Sequence, residues 1–422
     1  MERKGEFREK AILVAVDRGN FDVDESLEEL ELLVLTLDIE PIEWVVQRKR
    51  RPDPARYLGK GKLKQVAEMV KAFGADYVIA DDELSPVQAK NMEDETGAKV
   101  LDRTQVILEI FARHAMTEEG KIQVELARLQ YELPRIVGLG EQLSRLGGGI
   151  GTRGPGEQLL QRKRSEIRKR ISMLKKRFEE IRTEREVQRK RRKERGVSKV
   201  SIVGYTNAGK SSLLNALTHS SDAKVEDKLF ATLEPITRRV KLRSGRIVLF
   251  SDTVGFIRKL PHTIVAAFRA TLEEIKDSDL LIHIVDISDP YYKTKIRESL
   301  KVLSEIGASD IPRILVFNKI DLVSKDRIEM VMEEYPEAMF CSVRKGIGIR
   351  EILERVDHEL SKMEREVLIR IPTGKLNAVY ANLDRLTVED QYFFDGYVEM
   401  RVKGREEVIR EIVGRVGGEV LE

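Results

Sequence analysis

Residues 204–211 read GYTNAGKS, set between the apolar run VSKVSIV and the helix-prone stretch SLLNALTH. No other segment restricts the fold as strongly. A G-x-x-x-x-G-K-S spacing flanked in this way is a phosphate-binding loop, and such a loop needs a parallel α/β sheet to present its strand and its helix. Gly204 and Gly209 let the backbone curl, so that the N–H groups of Tyr205, Thr206, Asn207 and Ala208 converge on phosphate oxygens. The helix start adds the positive end of its dipole. Lys210 sets a point charge against the β- and γ-phosphates, Ser211 offers its hydroxyl to Mg2+, and Ser212 follows in the same turn.

Further elements follow in the order such a site requires. Asp252-Thr253-Val254-Gly255 comes directly after IVLFS. Its carboxylate can hold the magnesium shell, while the Gly255 N–H can reach a γ-phosphate. Between these elements, Thr232 in LFATLEP supplies a hydroxyl that completes the Mg2+ shell only while the γ-phosphate is present, which makes its loop a switch. Thr237, at the start of the next predicted strand, is the alternative ligand. Lys210, Thr232 and Gly255 are therefore the candidate catalytic groups. Asn318-Lys319-Ile320-Asp321 follows RILVF and reads the base. The Asp321 carboxylate offers two acceptors to the N1–H and N2–H2 of guanine, where adenine would present a competing acceptor. Asn318 supports the base and ties two loops together, and Lys319 lays its apolar stem across the ring. Ser342-Val343-Arg344 stands where a third loop closes over guanine. The ligands expected are GTP and GDP. A P-loop small-molecule kinase would not need the guanine-reading run, and no acceptor site or lid is recognisable. An RNA-binding scaffold with a degenerate nucleotide site would have lost phosphate and magnesium residues that are all present here.

The rest of the 422-residue chain is long enough for several domains. Residues 1–117 alternate ILVAV, DYVIA and AKVLD with helical patterns, which predicts a small parallel α/β domain. From residue 118 to 196, Ile122, Leu126, Leu129, Leu133 and Ile136, then Leu160, Ile167, Ile171, Leu174, Phe178 and Ile181, repeat at seam spacing. Two such helices joined by a short loop predict an antiparallel hairpin, with Pro134 breaking or bending the first near its end. The joining loop, LGGGIGTRGPGE, contains G-x-G-x-x-G but follows a helix rather than a strand, so it is not a dinucleotide loop. As a flexible tip it would bring Arg145 and Arg153 to an RNA surface. Residues 197–362 read as a doubly wound P-loop domain. VLIRI, VYANL, YVEMRV, a helix and EVLE (363–422) read as a small α+β appendage.

Charge is unevenly placed. The chain carries only +3 net, yet Glu157–Gly196 holds 17 Lys/Arg against 7 Asp/Glu. A basic segment of this kind points to RNA or DNA, and a solvated helix face in a charge-rich protein is the other reading. No apolar run long enough to span a bilayer and no signal-like N-terminus are seen, so membrane insertion is not expected and the protein is placed in the cytoplasm. The lone Cys341, in AMFCSV, fits a buried structural thiol. Trp44 fits half-buried strand packing, and His114 and His262 have no metal-spaced partner.

The ordered nucleotide elements resemble those of translation-factor-related GTPases of the Ras-like class, with one departure. Where those enzymes carry a water-orienting glutamine after D-x-x-G, this chain has Phe256, which implies slow intrinsic hydrolysis and a partner that completes the catalytic group. Beyond this domain, DPARYLGKGK (53–62), LDRTQVILEIFARHAMTEEGKIQVELARLQYELPRIVG, LSRLGGGIGTRGPGE, GYTNAGKSSLLNALT, LFATLEP and DTVGFIRKLPH resemble the HflX GTPases. Glu234 stands where Asp is expected and Ser342-Val343 where Ser-Ala is usual. The resemblance implies a monomeric cytosolic GTPase that binds the large ribosomal subunit and its rRNA, with Mg2+ as cofactor, and acts in splitting, rescue or assembly of ribosomes under stress. The alternative is a nucleotide-regulated RNA-binding protein in which hydrolysis is secondary. The Gly59–Lys62 stretch, with Lys60 and Lys62, could meet nucleotide phosphate or RNA backbone; use of adenine nucleotides by this N-terminal region stays open.

Overall fold

In the computed structural model the described residues are 9–19, 22–146, 155–194, 197–218, 236–259, 275–383 and 385–421, with the backbone alone described for 137–146, 155–159 and 184–194. The glycine-rich run 147–154, Thr232, Glu234 and His262 lie outside the described residues, as do the side chains of Arg145 and Leu133's later neighbours on the same helix. The chain divides into two compact units, one of Met1–Ile181, Glu226–Glu234 and Ile257–Ala270, the other of Arg182–Val225, Pro235–Phe256 and Thr271–Glu422. It is a mixed α/β protein.

The first unit opens with β1 (Glu9–Asp17), α1 (Val23–Thr36), β2 (Ile39–Arg48), α2 (Lys60–Phe73), β3 (Tyr77–Ala80), α3 (Pro86–Thr96), β4 (Lys99–Asp102) and α4 (Arg103–His114). The four strands are parallel in the order β2-β1-β3-β4. β1 is buried from Ala11 to Val16, as a central strand with helices on both faces must be. Helix boundaries follow local chemistry. Ser85 with Gln88 and Asp102 with Gln105 form capping boxes, and Gly74 and Gly97 close α2 and α3 in the left-handed conformation. The sequence pattern flagged only Trp44 within β2, because Pro41 and three charged residues blur its alternation. β2 is an edge strand with a register shift opposite Ala11 and Ile12, which is where a sheet tolerates a proline.

Helices α5 (Glu118–Leu146) and α6 (Pro155–Glu194) form the hairpin. Ile122, Leu126 and Leu174 make its buried seam, flanked by Leu129, Ile171, Phe178 and Ile181. The ion pairs Glu118–Arg177, Glu125–Arg170 and Glu132–Lys163 give its register. Each advance of one heptad on α5 is matched by a retreat of one heptad on α6, so the helices run antiparallel. Exposed pairs of this kind contribute little stability but fix which heptads face each other. Of the break or bend expected at Pro134, the break is absent: α5 runs unbroken through that residue. A mid-helix proline costs ~3 kcal/mol, and its neighbours hold the turn in place. The Tyr131 hydroxyl donates to Asp102 Oδ2 at 2.5 Å, and Arg135 pairs with the same carboxylate at 2.8 Å.

The second unit carries β5 (Ser198–Val203), α7 (Lys210–Thr218), β6 (Thr237–Lys241), β7 (Ile247–Asp252), β8 (Leu280–Asp286), α8 (Tyr292–Glu305), β9 (Arg313–Asn318), α9 (Lys325–Glu334), β10 (Met339–Phe340) and α10 (Ile349–Ser361). Its six-stranded sheet has the order β10-β9-β8-β5-β7-β6, parallel except for β6. Val200, Ile202, Phe250, Ile282 and Val316 form the core with Leu213, Leu214, Ile352 and Val356 from the helices. The terminal portion adds β11 (Arg365–Pro372), α11 (Leu376–Tyr380), β12 (Leu386–Phe393), β13 (Tyr397–Gly404), α12 (Glu406–Val416) and β14 (Glu419–Val420), an antiparallel sheet ordered β12-β13-β11-β14. VYANL, which reads as extended, forms the end of α11 and its turn instead; the strand is the following LTVEDQYF. That strand lies at the sheet edge and is mostly exposed, so it lacks the apolar alternation that marks a buried strand.

Within the first unit, burial pushes the Asp81 carboxyl up, but the Arg103 guanidinium and the Lys259 ammonium outweigh it and hold the group at about 2. A carboxyl lowered on folding contributes fully above its unfolded value and loses that contribution as pH falls toward its folded value. Between roughly pH 4 and pH 2 the first unit should therefore lose on the order of 2 kcal/mol from this group. Acid titration followed by circular dichroism should show a shallower loss over that range for Asp81→Asn than for the parent; identical slopes would refute it.

Candidate nucleotide-binding site

The loop 204–209 joins the buried strand β5 to α7 at the end of the sheet where β7, β8 and β9 also terminate. Its glycines are sterically required. Gly204 sits at φ +151, and a Cβ there would lie 2.2 Å from the Ile284 carbonyl oxygen. Gly209 sits at φ +100, and its Cβ would fall 2.3 Å from Asn318 Nδ2. Neighbouring loops can approach this closely only where no side chain intervenes.

Lys210 is buried at the first turn of α7 and donates to the Tyr205 carbonyl at 2.7 Å. Burial lowers its ammonium to about 8, with Asp252 opposing that shift. Ser211 donates its hydroxyl to Asp252 Oδ2 at 2.6 Å, so the two candidate magnesium ligands converge although 41 residues separate them. Both are hard oxygen donors, the chemistry that a Mg2+ ion shared with phosphate oxygens takes. The hydroxyl of Thr237, the alternative ligand, lies 2.7 Å from that of Ser251 across the β6–β7 pair. Thr253 donates to the Ile202 carbonyl at 2.7 Å, which ties the D-T-V-G turn to the strand that feeds the phosphate loop.

Gly255 packs against that loop: a Cβ would lie 2.7 Å from Thr206 Cγ2 and 2.9 Å from Lys210 Nζ. The next residue is fixed through its backbone. Phe256 N–H donates to the Gly204 carbonyl at 3.0 Å, and Thr206 N–H donates to the Phe256 carbonyl at 2.9 Å. The phenyl ring is buried with Val203, Tyr205, Ile275 and Leu281. The residue at the usual glutamine position thus serves as a core side chain.

On the base side, Asn318 gathers three loops. Its Nδ2 donates to the Ala208 carbonyl at 2.9 Å, and its Oδ1 accepts from Val343 N–H at 3.1 Å. The Ser342 hydroxyl donates to Asp321 Oδ1 at 2.6 Å, a bond that lowers the Asp321 carboxyl below its ordinary range. Lys319 is left-handed at φ 67, and its ammonium reaches Asp286 Oδ2 at 2.7 Å. Val343 and Arg344 sit in the short turn between Ser342 and Gly346.

Sequence reasoning missed several participants. Cys341 is the buried structural thiol expected, but its neighbour was not foreseen: Sγ lies 3.6 Å from Asn318 Oδ1, and burial pushes the thiol up to about 12, which leaves it inert. Asp286 anchors Lys319 from the end of β8. The Tyr205 hydroxyl donates to Glu298 Oε2 at 2.5 Å and so ties the phosphate loop to α8. Adjacent strand ends in a parallel sheet could have pointed to Asp286; nothing in the sequence pairs Tyr205 with Glu298. Of the expected RNA-contact residues, Lys60 is exposed and Lys62 partly so in the first turn of α2. Arg153 and the Arg145 side chain lie outside the described residues.

The chain matches three family profiles: "GTP-binding GTPase N-terminal" over residues 24–112, "GTP-binding GTPase Middle Region" over 114–192 and "50S ribosome-binding GTPase" over 199–319. Among curated relatives, the GTPase HflX of Caldanaerobacter subterraneus subsp. tengcongensis is 50% identical over 89% of this chain and 86% of its own length. The GTPase HflX of Escherichia coli K12 is 39% identical over 94% of this chain and 93% of its own. Among solved structures, a GTP-binding protein from the archaeon Sulfolobus solfataricus, in complex with GDP, is 27% identical. It covers 84% of this chain and 99% of that one, at a TM-score of 0.44. No helix among the described residues is long and apolar enough to cross a membrane.

On the guanine-reading role expected of Asp321, removing its carboxylate should be costly. Replacing Asp321 with Asn deletes a charge-assisted acceptor pair worth about 3 kcal/mol, or ~100-fold in affinity for guanine nucleotides. Fluorescence titration of Asp321→Asn with labelled GDP and ADP should show that loss together with a narrowed guanine preference. Selectivity equal to the parent's would contradict the assignment.

Proposed function

This chain belongs to the HflX family of ribosome-binding GTPases, and from that premise we propose that it is a GTP-driven switch whose effector is the large ribosomal subunit. The observation that carries the reading is the Asn318 amide, which joins the phosphate loop at Ala208 to the base-side turn at Val343. Nucleotide occupancy can therefore be felt by both halves of the site at once. The proposed parts are four: an N-terminal α/β domain (1–117), a basic hairpin (118–196), a Ras-like GTPase domain (197–362) and a small α+β domain (363–422).

Ser211 and Asp252 would hold Mg2+, with Thr232 completing the shell, and Lys210 would neutralise the phosphates. The metal, when bound, offsets charge that develops on the phosphate oxygens. Gly255 N–H would meet the γ-phosphate. Phe256, being a buried apolar ring, can neither donate to nor accept from an attacking water. Intrinsic turnover should then be slow, and the ribosome would supply or organise what is missing. The basic face of α6, with Arg145 and Arg153 at the hairpin tip and Lys60 and Lys62 on α2, would meet rRNA phosphates. Splitting, rescue or assembly of ribosomes in the cytoplasm, by a monomer, is the task this machinery fits.

Co-sedimentation with separated ribosomal subunits tests the reading. The protein should pellet with large subunits in the presence of a non-hydrolysable GTP analogue and much less with GDP. Large subunits should also raise GTP turnover at least tenfold, as an added catalytic group does at roughly 1.4 kcal/mol per decade. Lys210→Ala should abolish both responses while leaving the fold intact. Binding to RNA that ignores the nucleotide would favour the RNA-binding alternative.

A further inference from the structure

The terminal portion of the second unit runs β11-α11-β12-β13-α12-β14, and its helices cover one face of the sheet. Ile369, Val398 and Met400 pack there against Ile409 and Ile412. β12 leaves that arrangement halfway along. Leu386 is buried and Val388 packs against the core, but a register shift follows, and every residue from Glu389 to Phe393 is exposed. β13 pairs with one edge of this strand. Among the described residues no strand lies along the other edge, and no backbone group of 389–393 bonds outside the ladder with β13. An open edge of this kind is a template for a further strand.

The edge displays a particular set of side chains. Tyr392, Phe393 and Phe394 are 53%, 62% and 47% exposed, and none of them belongs to the core. Three consecutive exposed aromatics serve no purpose in packing, whereas large rings are the residues that anchor interfaces. Tyr392 stands opposite Glu399 and Phe393 opposite Val398, so the two project to opposite faces of the sheet. The hairpin that carries them is braced. Phe394 N–H donates to the Tyr397 carbonyl at 2.9 Å around Asp395-Gly396, and Gly396 takes φ +82. The Phe394 ring stacks on Tyr397 with centroids 5.0 Å apart, and the Arg370 guanidinium lies 4.8 Å from the Tyr397 ring. A strand braced in this way loses little further entropy when a partner arrives.

Charge decides which partner fits. Residues 386–396 carry Glu389, Asp390 and Asp395 and no lysine or arginine. Among the described residues none of these three carboxylates makes an ion pair, whereas all seven arginines of 363–422 do. Residues 363–422 as a whole hold 9 Lys/Arg against 12 Asp/Glu. Such an edge repels RNA phosphates. It also repels a second copy of itself, because pairing two β12 edges would set acidic residues against acidic residues. A strand bearing lysine or arginine meets neither penalty.

We propose that the open edge of β12 is a docking site for an extended, lysine- and arginine-bearing segment of another protein, which joins the sheet as a fifth strand. Main-chain bonds to 389–393 supply affinity, and alternate side chains supply selectivity. Asp390, opposite Arg401, and Tyr392, opposite Glu399, share one face of the sheet, so a cation placed there meets a carboxylate and a ring together.

The test uses the full chain and a fluorescein-labelled peptide that alternates arginine with valine. Anisotropy should show saturable binding, and hydrogen exchange of 389–393 should slow as the peptide saturates. Glu389→Lys combined with Asp390→Lys should weaken the peptide about tenfold or more, as reversal of facing charges does. Tyr392→Ser combined with Phe393→Ser should weaken it to a similar extent. The same peptide N-methylated at every residue keeps its charge but cannot complete a ladder, and it should bind about tenfold less tightly. Circular dichroism checks that the variants are folded. Peptide affinity unchanged in folded variants would overturn the proposal, and so would equal binding of the N-methylated peptide, which leaves charge attraction alone. Single-stranded oligouridine that outcompetes the peptide, or self-association that the lysine substitutions abolish, would overturn it in favour of RNA or of a second copy.

Discussion

Asn318 uses both faces of one side-chain amide to hold the nucleotide site together, donating to the phosphate loop at Ala208 and accepting from the base-side turn at Val343. Its position fixes the rest. Gly209 must lack a side chain because Asn318 Nδ2 occupies the space a Cβ would fill. Ser342, one residue before Val343, is thereby aligned to donate to Asp321. The amide is buried, so its bonds are not diluted by water, and an isosteric aspartate would place two acceptors where a donor is needed. A single planar group therefore joins the loop that follows β5 to the turn that follows β10.

The magnesium side depends on a comparable meeting of remote residues. Ser211 begins a helix and Asp252 ends a strand, and they touch because β5 and β7 are neighbours in the parallel sheet. The same adjacency lets Thr253 bond the Ile202 carbonyl, so the turn that bears Gly255 inherits the rigidity of the sheet. Phe256 then locks into the apolar cluster beneath it. A glutamine there would have to be buried or be freed; phenylalanine resolves the choice by giving up water chemistry for packing.

In the first unit a different economy applies. Asp102 and Arg103, adjacent at the start of α4, face opposite tasks. Asp102 caps its own helix and accepts from Tyr131 and Arg135 of the hairpin. Arg103 balances the carboxylates at the strand ends. The hairpin and the buried carboxylates Asp81 and Glu29 therefore share one peptide unit as their footing, and Tyr131 and Arg135, on either side of Pro134, both bond to Asp102.

The sequence by itself determined the motifs of the candidate site. Glycine positions, the Lys210-Ser211 pair, D-T-V-G and N-K-I-D are local patterns whose spacing is dictated by the ligand, so they are legible without a fold. It also determined the strands with unbroken apolar runs and the heptads of the hairpin. β2 was legible only around Trp44, and β12, an exposed edge, was not legible, because edge strands need no two-sided apolar signal. Nor was the continuity of α5 through Pro134, whose neighbours Tyr131 and Arg135 bond to Asp102 in another element. The pairing of Lys259 with Asp81, 178 residues apart, belongs to the same class. Charge complementarity leaves no periodicity in a chain that is 35% charged, and only tertiary structure decides which of many lysines meets which of many carboxylates.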